Sequence, residues 1–448
     1  MSENQSSNSA KASTKKISFK EALLNKRMLI CLFNGFTSGL PLYYIYQLVP
    51  AWLRSDGIDL KTIGLFSLVT LPYSLKIFWA PLLDRISLPF LGRRRGWMLV
   101  SQIGCMMAMA SLSLFNPVQA LTAVVVAVAA MCIFSATQDV VLDAYRRELL
   151  PDSELGLGNS FYQNAYRVAG FVPGGLGIIL ADYVPWSTVH LVIALFMLVG
   201  IIHTFSIKEI VTKIAPPKNM VDAYIEPFLE FFKRDGVSRA LLILAFMFFY
   251  KLGDTMATAL ATPFYIDMGF SLTQIGSLIK LTNFWSMFIG SIVGGLYIYR
   301  YGINRSLWIF GFMQWVTIFG FVILSLVGNN VPVLIVVLTL EYLAAGLGTS
   351  AFMAYIARVS SVNFTGTQLA MFSSLFGLAR SLASGSTGFL IEGISAGDGI
   401  FYKIFGQFNG LGWTKFFILS GVIAIPGMIL LFWVAPWNGD KVKHENSK

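Results

Sequence analysis

Two carboxylates interrupt a long apolar run in the first half of the chain. The stretch SATQDVVLDA lies in this run and places Asp139 and Asp143 about one helical turn apart. A charge at mid-bilayer costs roughly 2.5–3.5 kcal/mol even on lenient insertion scales. Acids retained in such a run are therefore expected to face a wet interior, where a carboxylate can pair with a cation or exchange a proton.

Other apolar runs also carry ionisable residues, which are Lys76, Arg167, Lys251, Asp254, Lys280, Glu341 and Arg380. In the first half, Asp139 or Asp143 can pair with Arg167. In the second half, two acids and several bases lie at similar depth and can also form opposed pairs. A structural ion pair and a proton-exchanging carboxylate are both consistent with these residue types.

Proton coupling is the functional hypothesis that these acids support. Burial disfavours the charged form of a carboxylate and a nearby cation favours it, so a balanced group can bind and release a proton as access alternates. We predict Asp139, Asp254 and Glu341 as the proton-coupling residues. Asp143 lies near Arg146 at the end of its run, and we expect it rather to tether the helix end.

Polar and aromatic side chains in the same runs are the candidates for a substrate cavity. A Tyr or Trp ring can stack on a sugar face while its OH or NH donates a hydrogen bond, although such rings are also common in interfacial belts. The predicted cavity residues are Gln138, Asp143, Arg167, Tyr43, Tyr44, Gln47, Lys76, Tyr166, Lys251, Lys280, Trp285 and Arg380.

The composition indicates the class of protein that must position these groups. The chain has 448 residues, of which 56% are hydrophobic and 12% charged, and its mean hydropathy is +0.68. Soluble chains carry about 25% charged residues, so this is an integral membrane protein. The three cysteines lie in apolar runs, and no Walker or GxSxG motif occurs. We therefore expect no metal site, no cofactor and no enzymatic activity.

Twelve apolar stretches have the length that a hydrocarbon core of about 30 Å requires. Those at positions 3, 6, 9 and 12 contain no ionisable residue, which predicts that they form a lipid-facing outer layer. The predicted stretches are 28–48, 62–82, 97–115, 120–145, 160–181, 188–205, 240–265, 273–298, 307–327, 333–356, 369–391 and 414–434.

The basic residues are distributed unevenly between the two sides. Most follow even-numbered stretches or lie in the terminal tails, whereas the opposite loops carry only Arg54, Lys61, Lys403 and Lys415. The positive-inside rule then predicts that both termini are cytoplasmic. The net charge of +10 is thus a topology signal, with no indication of nucleic-acid binding.

The two halves of the chain resemble each other at a nearly constant offset. DLKTIG before stretch 2 matches SLTQIG before stretch 8, and Arg167 matches Arg380. A repeated six-helix unit is the construction of secondary transporters of the major facilitator type, an all-α membrane fold of twelve helices in two halves. The predicted divisions are a tail at 1–27, bundles at 28–205 and 240–434, a linker at 206–239 and a tail at 435–448.

Two loops agree with that construction. APLLDRISLPFLGRRRGW follows stretch 2 and GLYIYRYGINRS follows stretch 8, and both resemble the major facilitator pattern G-x-x-x-D-R-x-G-x-R-R. A basic membrane anchor would explain the arginines but not the Asp-Arg pair, so we interpret these loops as a gating latch. The predicted latch residues are Asp84, Arg85, Arg93, Arg94 and Arg300.

More specific stretches resemble the AmpG family of muropeptide permeases. They include FTSGLPL, FWAPLLDR, GRRRGW, SATQDVVLDA, YKLGD and GTSAF, and they extend over most of the chain. The resemblance implies a bacterial inner-membrane symporter, in which protons and muropeptides are the partners, and it draws attention to Gln138, Asp139 and Asp143. It also implies a role in peptidoglycan recycling and, in some bacteria, in β-lactam resistance. We expect a monomer embedded in the lipid bilayer.

Two other functions remain consistent with the residues. One is transport of a different solute on the same scaffold, such as an acyl-CoA or an amphipathic drug. The other is a transporter-like receptor that senses muropeptide without moving it, for which permanently paired intramembrane charges would suffice.

Overall fold

Helices dominate the computed structural model, which describes residues 25–80, 83, 86–150, 155–210, 229–234, 236–360 and 365–438. Within these ranges, nine helices are long and apolar enough to cross a membrane. Together with three shorter or more polar helices they make twelve, which are in chain order α1 Lys26–Ser55, α2 Leu60–Leu75, α3 Arg93–Leu114, α4 Leu121–Leu149, α5 Leu155–Ala169, α6 Trp186–Ser206, α7 Val237–Asp267, α8 Leu272–Ile298, α9 Ile303–Val327, α10 Val331–Val359, α11 Thr365–Glu392 and α12 Gly412–Val434. They correspond in order to the twelve predicted stretches and confirm the all-α membrane architecture.

Three of the twelve segments are less regular or more polar than the rest. Helix α2 is a short apolar helix with 3-10 turns inside and after it. Helix α5 continues through the π-helical Val172–Gly177 into Ile178–Leu180. Helices α5 and α11 also carry the intramembrane arginines predicted from sequence, Arg167 and Arg380.

The four helices predicted to face lipid expose large apolar side chains. Met107 of α3 is 64% exposed, and Ile202 of α6, Leu326 of α9 and Phe432 of α12 are comparably exposed. Apolar side chains in an aqueous setting would be buried, whereas lipid tails solvate them without cost. These faces therefore fit an outer layer in contact with the bilayer.

Glycines allow the helices that surround the centre to approach closely. A Cβ on Gly35 of α1 would lie 2.1 Å from the Tyr162 carbonyl oxygen of α5, and one on Gly39 would lie 2.4 Å from that of Tyr166. Helices pack at this distance only where a side chain is absent. The α1–α5 contact thus holds the Tyr166 and Arg167 segment against the aromatic segment of α1.

Within the described residues, three helices contain a π-helical segment, a rare feature that is frequent at functional sites. The segments are Tyr44–Leu48 in α1, Val172–Gly177 in α5 and Ile275–Ile279 in α8. The α5 segment contacts both of the others. Since α8 belongs to the second half, this cluster joins the two halves of the molecule.

The loop between α11 and α12 contains structure that the sequence did not predict. Strands β1 Gly393–Ile394 and β2 Phe408–Asn409 pair antiparallel, and Ala396–Asp398 and Ile400–Phe405 form short helices between them. Strands of two residues carry no hydrophobic periodicity, so no sequence pattern indicates them.

The described part of the linker forms a helical turn at residues 229–234. Its Phe231 is 1% exposed and packs edge-to-face on Phe372 of α11, with ring centroids 5.1 Å apart. Both terminal tails lie largely outside the described residues.

Candidate functional site

A cavity of about 500 Å³ lies between the two halves. Its volume is in the range of small-molecule binding sites. Helices α1, α2 and α5 contribute its lining from the first half, and α7, α8, α10 and α11 contribute from the second. The predicted site residues that line it are Tyr43, Gln47, Tyr166, Arg167, Lys251, Asp254, Lys280 and Arg380.

Helix α7 places one ion pair at the cavity wall. The helix is interrupted at Lys251, whose backbone dihedral angles are φ −105° and ψ −3°. Its buried ammonium lies 3.5 Å from the Asp254 carboxylate in the next turn. Glu341 of α10, 1% exposed, interacts electrostatically with both residues. Two carboxylates therefore lie near one lysine in a poorly hydrated place.

Lys280 of α8 reaches into the aromatic segment of α1. Its ammonium donates a hydrogen bond of 2.7 Å to Gln47 Oε1. The same nitrogen lies 4.8 Å from the Tyr43 ring centroid and 5.6 Å from that of Phe171. Arg380 of α11 stacks over a neighbouring ring of α1 with 4.5 Å between its Cζ and the Tyr46 centroid. Lys280 and Arg380 of the second half thus form cation–π contacts with aromatic rings of the first half.

Asp139 lies outside the cavity lining, between α1, α2 and α4. Its Oδ1 accepts a hydrogen bond of 2.5 Å from Ser38, and its Oδ2 lies 3.7 Å from the Lys76 ammonium. Lys76, and not Arg167, is therefore its cationic partner. Asp143 is half exposed and pairs with Arg146 at 2.9 Å within the same helix. The two acids occupy different environments although they are one turn apart.

Five residues that we predicted at the cavity do not line it in the described structure, namely Tyr44, Lys76, Gln138, Asp143 and Trp285. The buried Tyr44 side chain points towards α6, where its hydroxyl forms a hydrogen bond of 2.6 Å with His190 Nδ1. Gln138 is fully buried, and Trp285 is 55% exposed on the outside of α8. Hydrophobic runs of this kind do not show which face of a helix points to the centre, because nearly every face is apolar.

Two of the predicted latch arginines, Arg93 and Arg94, form a compact network at the start of α3. Arg94 donates to Glu148 of α4 at 2.7 Å, and Arg93 lies 3.4 Å from the same carboxylate. Glu209 accepts the backbone N–H groups of Arg94 and Arg95, so it caps the positive end of α3. Arg300 stacks over Tyr301. Asp84 and Arg85 lie outside the described residues.

At the end of the cavity remote from these arginines, ionic contacts join the two halves, and we interpret these contacts, here called the ionic gate, as closing that end. Arg54 donates two hydrogen bonds to Asp267, at 2.6 and 2.8 Å. Lys61 lies 2.9 Å from the Asp398 carboxylate. A hydrogen bond from the Ser395 backbone N–H is the main cause that holds the pKa of Asp398 below its usual value, and the hydrogen bond from Lys61 adds to it. This acid therefore stays ionised.

Two further contacts close the same end. Glu392 accepts the backbone N–H of Leu60 at 2.8 Å, and Asp182 accepts that of Thr273 at 2.6 Å. The sequence analysis predicted none of the four acids at this end, which are Asp182, Asp267, Glu392 and Asp398. The available signal was the pair of basic residues, Arg54 and Lys61, that depart from the charge bias of their side of the membrane.

The fold and its central cavity define a membrane transporter of the major facilitator class. The family model described as Major Facilitator Superfamily matches residues 31–384. The chain is 35% identical to the anhydromuropeptide permease of Escherichia coli K12 over 90% of this chain and 79% of the relative. It is 30% identical to putative transporter AmpG 4 of Rickettsia felis over 89% of this chain and 94% of that protein. The chain belongs to the AmpG family of the major facilitator superfamily.

Two further comparisons cover nearly the whole chain. An uncharacterized protein of Haemophilus influenzae is 43% identical over 96% of this chain and 98% of its own length. The crystal structure of a D-xylose–proton symporter superposes with a TM-score of 0.67 at 12% identity, covering 92% of this chain and 98% of that one. At that identity the likeness shows the fold alone. The predicted family and the twelve-helix fold class are confirmed, and the chain is a multi-pass membrane protein.

Arg54→Gln is expected to loosen the closed end of the cavity. The change removes a charge-assisted pair that holds α1 to α7, so the open population should rise by about tenfold. The measurement is the labelling rate of a cysteine introduced at Ala259, a lining residue, by a membrane-impermeant maleimide. Arg239→Gln at the exposed start of α7 is the control. An unchanged rate in Arg54→Gln would show that the ion pair does not hold this end closed.

Proposed function

We propose that this protein imports anhydromuropeptides from the periplasm to the cytoplasm across the bacterial inner membrane, by proton symport with alternating access. The observation that supports this most strongly is the 35% identity with the Escherichia coli anhydromuropeptide permease along 90% of the chain. The cavity between the two halves supplies the place for a solute. On this proposal the protein is not an enzyme, and its partners are the substrate, protons and the bilayer.

The proposed orientation follows from the distribution of basic residues. Both termini and the arginine network at α3 would lie in the cytoplasm, since basic loops remain on that side. The ionic gate at Arg54 and Lys61 would then face the periplasm, and the structure would represent a state closed to the outside. The proposed divisions are tails at 1–27 and 435–448, six-helix bundles at 28–205 and 240–434, and a linker at 206–239, in a monomeric protein.

Two acid sites support the proposed proton coupling. Asp139 lies between Ser38 and Lys76 in the first half. In the second half, Asp254 lies 3.5 Å from Lys251, and Glu341 interacts electrostatically with both. Each site places a carboxylate beside a lysine within the membrane-spanning helices, so on this proposal a change in hydration on opening would move a proton there. The sites lie on α4, α7 and α10, and on this proposal these helices would move as access is exchanged between the two sides.

Uptake into proteoliposomes tests the proposal directly. Purified protein should accumulate labelled anhydromuropeptide when the lumen is alkaline relative to the outside. Dissipating the pH gradient with a protonophore should reduce uptake to equilibration, because the proton gradient then supplies no driving force. If acetyl-CoA, and not anhydromuropeptide, is bound and taken up, the protein transports another solute. Saturable binding of anhydromuropeptide without uptake would identify a receptor. Either of those results would contradict anhydromuropeptide import.

A further inference from the structure

The charges that line the cavity do not balance. The lining contains four basic residues and one acidic residue, Asp254, which is paired with Lys251. The three remaining cations are Arg167, Lys280 and Arg380, here called the cation cluster. Among the described residues, no carboxylate lies within 4.0 Å of any of the three. The cavity wall is therefore net positive where a solute would bind.

Lys280 is the most buried member of the cluster. It is 9% exposed, and its hydrogen-bond acceptor is the neutral amide oxygen of Gln47. An ammonium has three donors, and the rings of Tyr43 and Phe171 that cover it offer only quadrupole attraction. A buried cation without an anion is unfavourable, and an incoming carboxylate would offset that cost.

The three cations line the same part of the cavity as Tyr43 of α1. Lys280 lies over the ring of Tyr43, and Arg167 and Arg380 both interact electrostatically with the hydroxyl of that residue. The cluster draws its members from α5, α8 and α11, and so from both halves of the molecule. An anion bound between them would contact both halves together, which links its binding to the state of the cavity.

We propose that the cation cluster is an anion subsite that binds a carboxylate of the substrate, so that acidic muropeptides are bound in preference to neutral ones. This inference rests on the proposed function and specifies which part of the muropeptide is recognised there. Arginine presents a planar fork that matches a carboxylate, whereas lysine supplies a compact point charge. The sugar would then occupy the aromatic wall formed by Tyr43, Tyr46 and Tyr166.

The test compares two ligands that differ only in charge. One is an anhydromuropeptide with free carboxylates, and the other is the same compound with every carboxylate converted to a carboxamide. Binding to purified protein should favour the acid by about tenfold or more, as expected when a charge-assisted hydrogen bond is lost. Lys280→Met should weaken binding of the acid alone, so that the ratio of the two dissociation constants falls towards one.

Lys280→Arg retains the charge and should keep most of the preference, and Lys403→Met on the loop helix between α11 and α12 is the matched control. Equal binding of acid and amide by the unmodified protein would overturn the subsite, as would an equal loss of both ligands in Lys280→Met. If acetyl-CoA binds with the same dependence on Lys280 while neither muropeptide binds, the anion subsite stands and the proposed substrate is wrong.

Discussion

Asp139→Asn is expected to abolish uptake driven by a pH gradient while leaving exchange of substrate across the membrane intact. The asparagine can still accept the hydrogen bond from Ser38, but it cannot take up a proton or balance the Lys76 ammonium. Accumulation of labelled anhydromuropeptide should fall at least about tenfold, because a proton relay through this site needs a titrating group. Counterflow between preloaded and external substrate should continue, since alternating access itself needs no net proton movement.

Asp143→Asn is the matched control on the same helix. Asp143 is half exposed and paired with Arg146, so its loss should change accumulation little, as surface ion pairs contribute about 0–1 kcal/mol. If Asp139→Asn accumulates substrate normally in response to the pH gradient, Asp139 is not the proton carrier. Asp254→Asn, beside Glu341, is then the next variant to compare in the same assay.

Gly276→Val is expected to hold the gate end of the cavity open and to stop transport. A Cβ at Gly276 would lie 2.7 Å from the Gly175 carbonyl oxygen and 2.7 Å from Ile179 Cγ1. The π-helical segments of α5 and α8 could not then touch as they do here. Overpacking of this kind costs about 1–3 kcal/mol, enough to shift a two-state equilibrium by about tenfold or more. Uptake should fall because the cycle requires both states.

Gly295→Val provides a control on the same helix, because a Cβ at Gly295 has nothing within 4 Å. Both variants place the same β-branched residue in α8, so the intrinsic helix cost is similar. Labelling of the cysteine at Ala259 from outside the membrane should accelerate in Gly276→Val alone. Slow labelling together with normal uptake in Gly276→Val would contradict a role for the Gly175–Gly276 contact in closing the cavity.

The ionic gate shows that the distribution of basic residues indicates contacts between the two halves as well as the membrane topology. Arg54 and Lys61 lie among the few basic residues on their side, and both pair with acids of the other half. A lysine or arginine that opposes the positive-inside bias is costly to translocate. Its retention is therefore a reason to look for an acid that it contacts in one state of the transporter. Arg54 is bound in this way by Asp267, whose Oδ2 also accepts a hydrogen bond from the Trp413 indole N–H.

The membrane architecture could be predicted from the sequence because it rests on local quantities. Twelve apolar stretches set the number of helices, since each must cross a hydrocarbon core of fixed thickness. The offset between the halves indicated the repeat, and the motifs indicated the family, which the comparisons confirm. Burial cost singled out nine ionisable residues, of which five line the cavity, namely Arg167, Lys251, Asp254, Lys280 and Arg380.

Which charged groups contact each other depends on the tertiary structure. Asp139 pairs with Lys76 and not with Arg167, and Gln138, next to it in sequence, is buried away from the cavity. The apolar residues surround these helices on almost every side, so the sequence does not show the rotation of each helix about its axis. Contacts between residues more than two hundred positions apart, such as Gln47 with Lys280, depend on how the two halves dock. Side-chain identity determined that charges must face an interior, and helix rotation and docking determined which of them face the cavity.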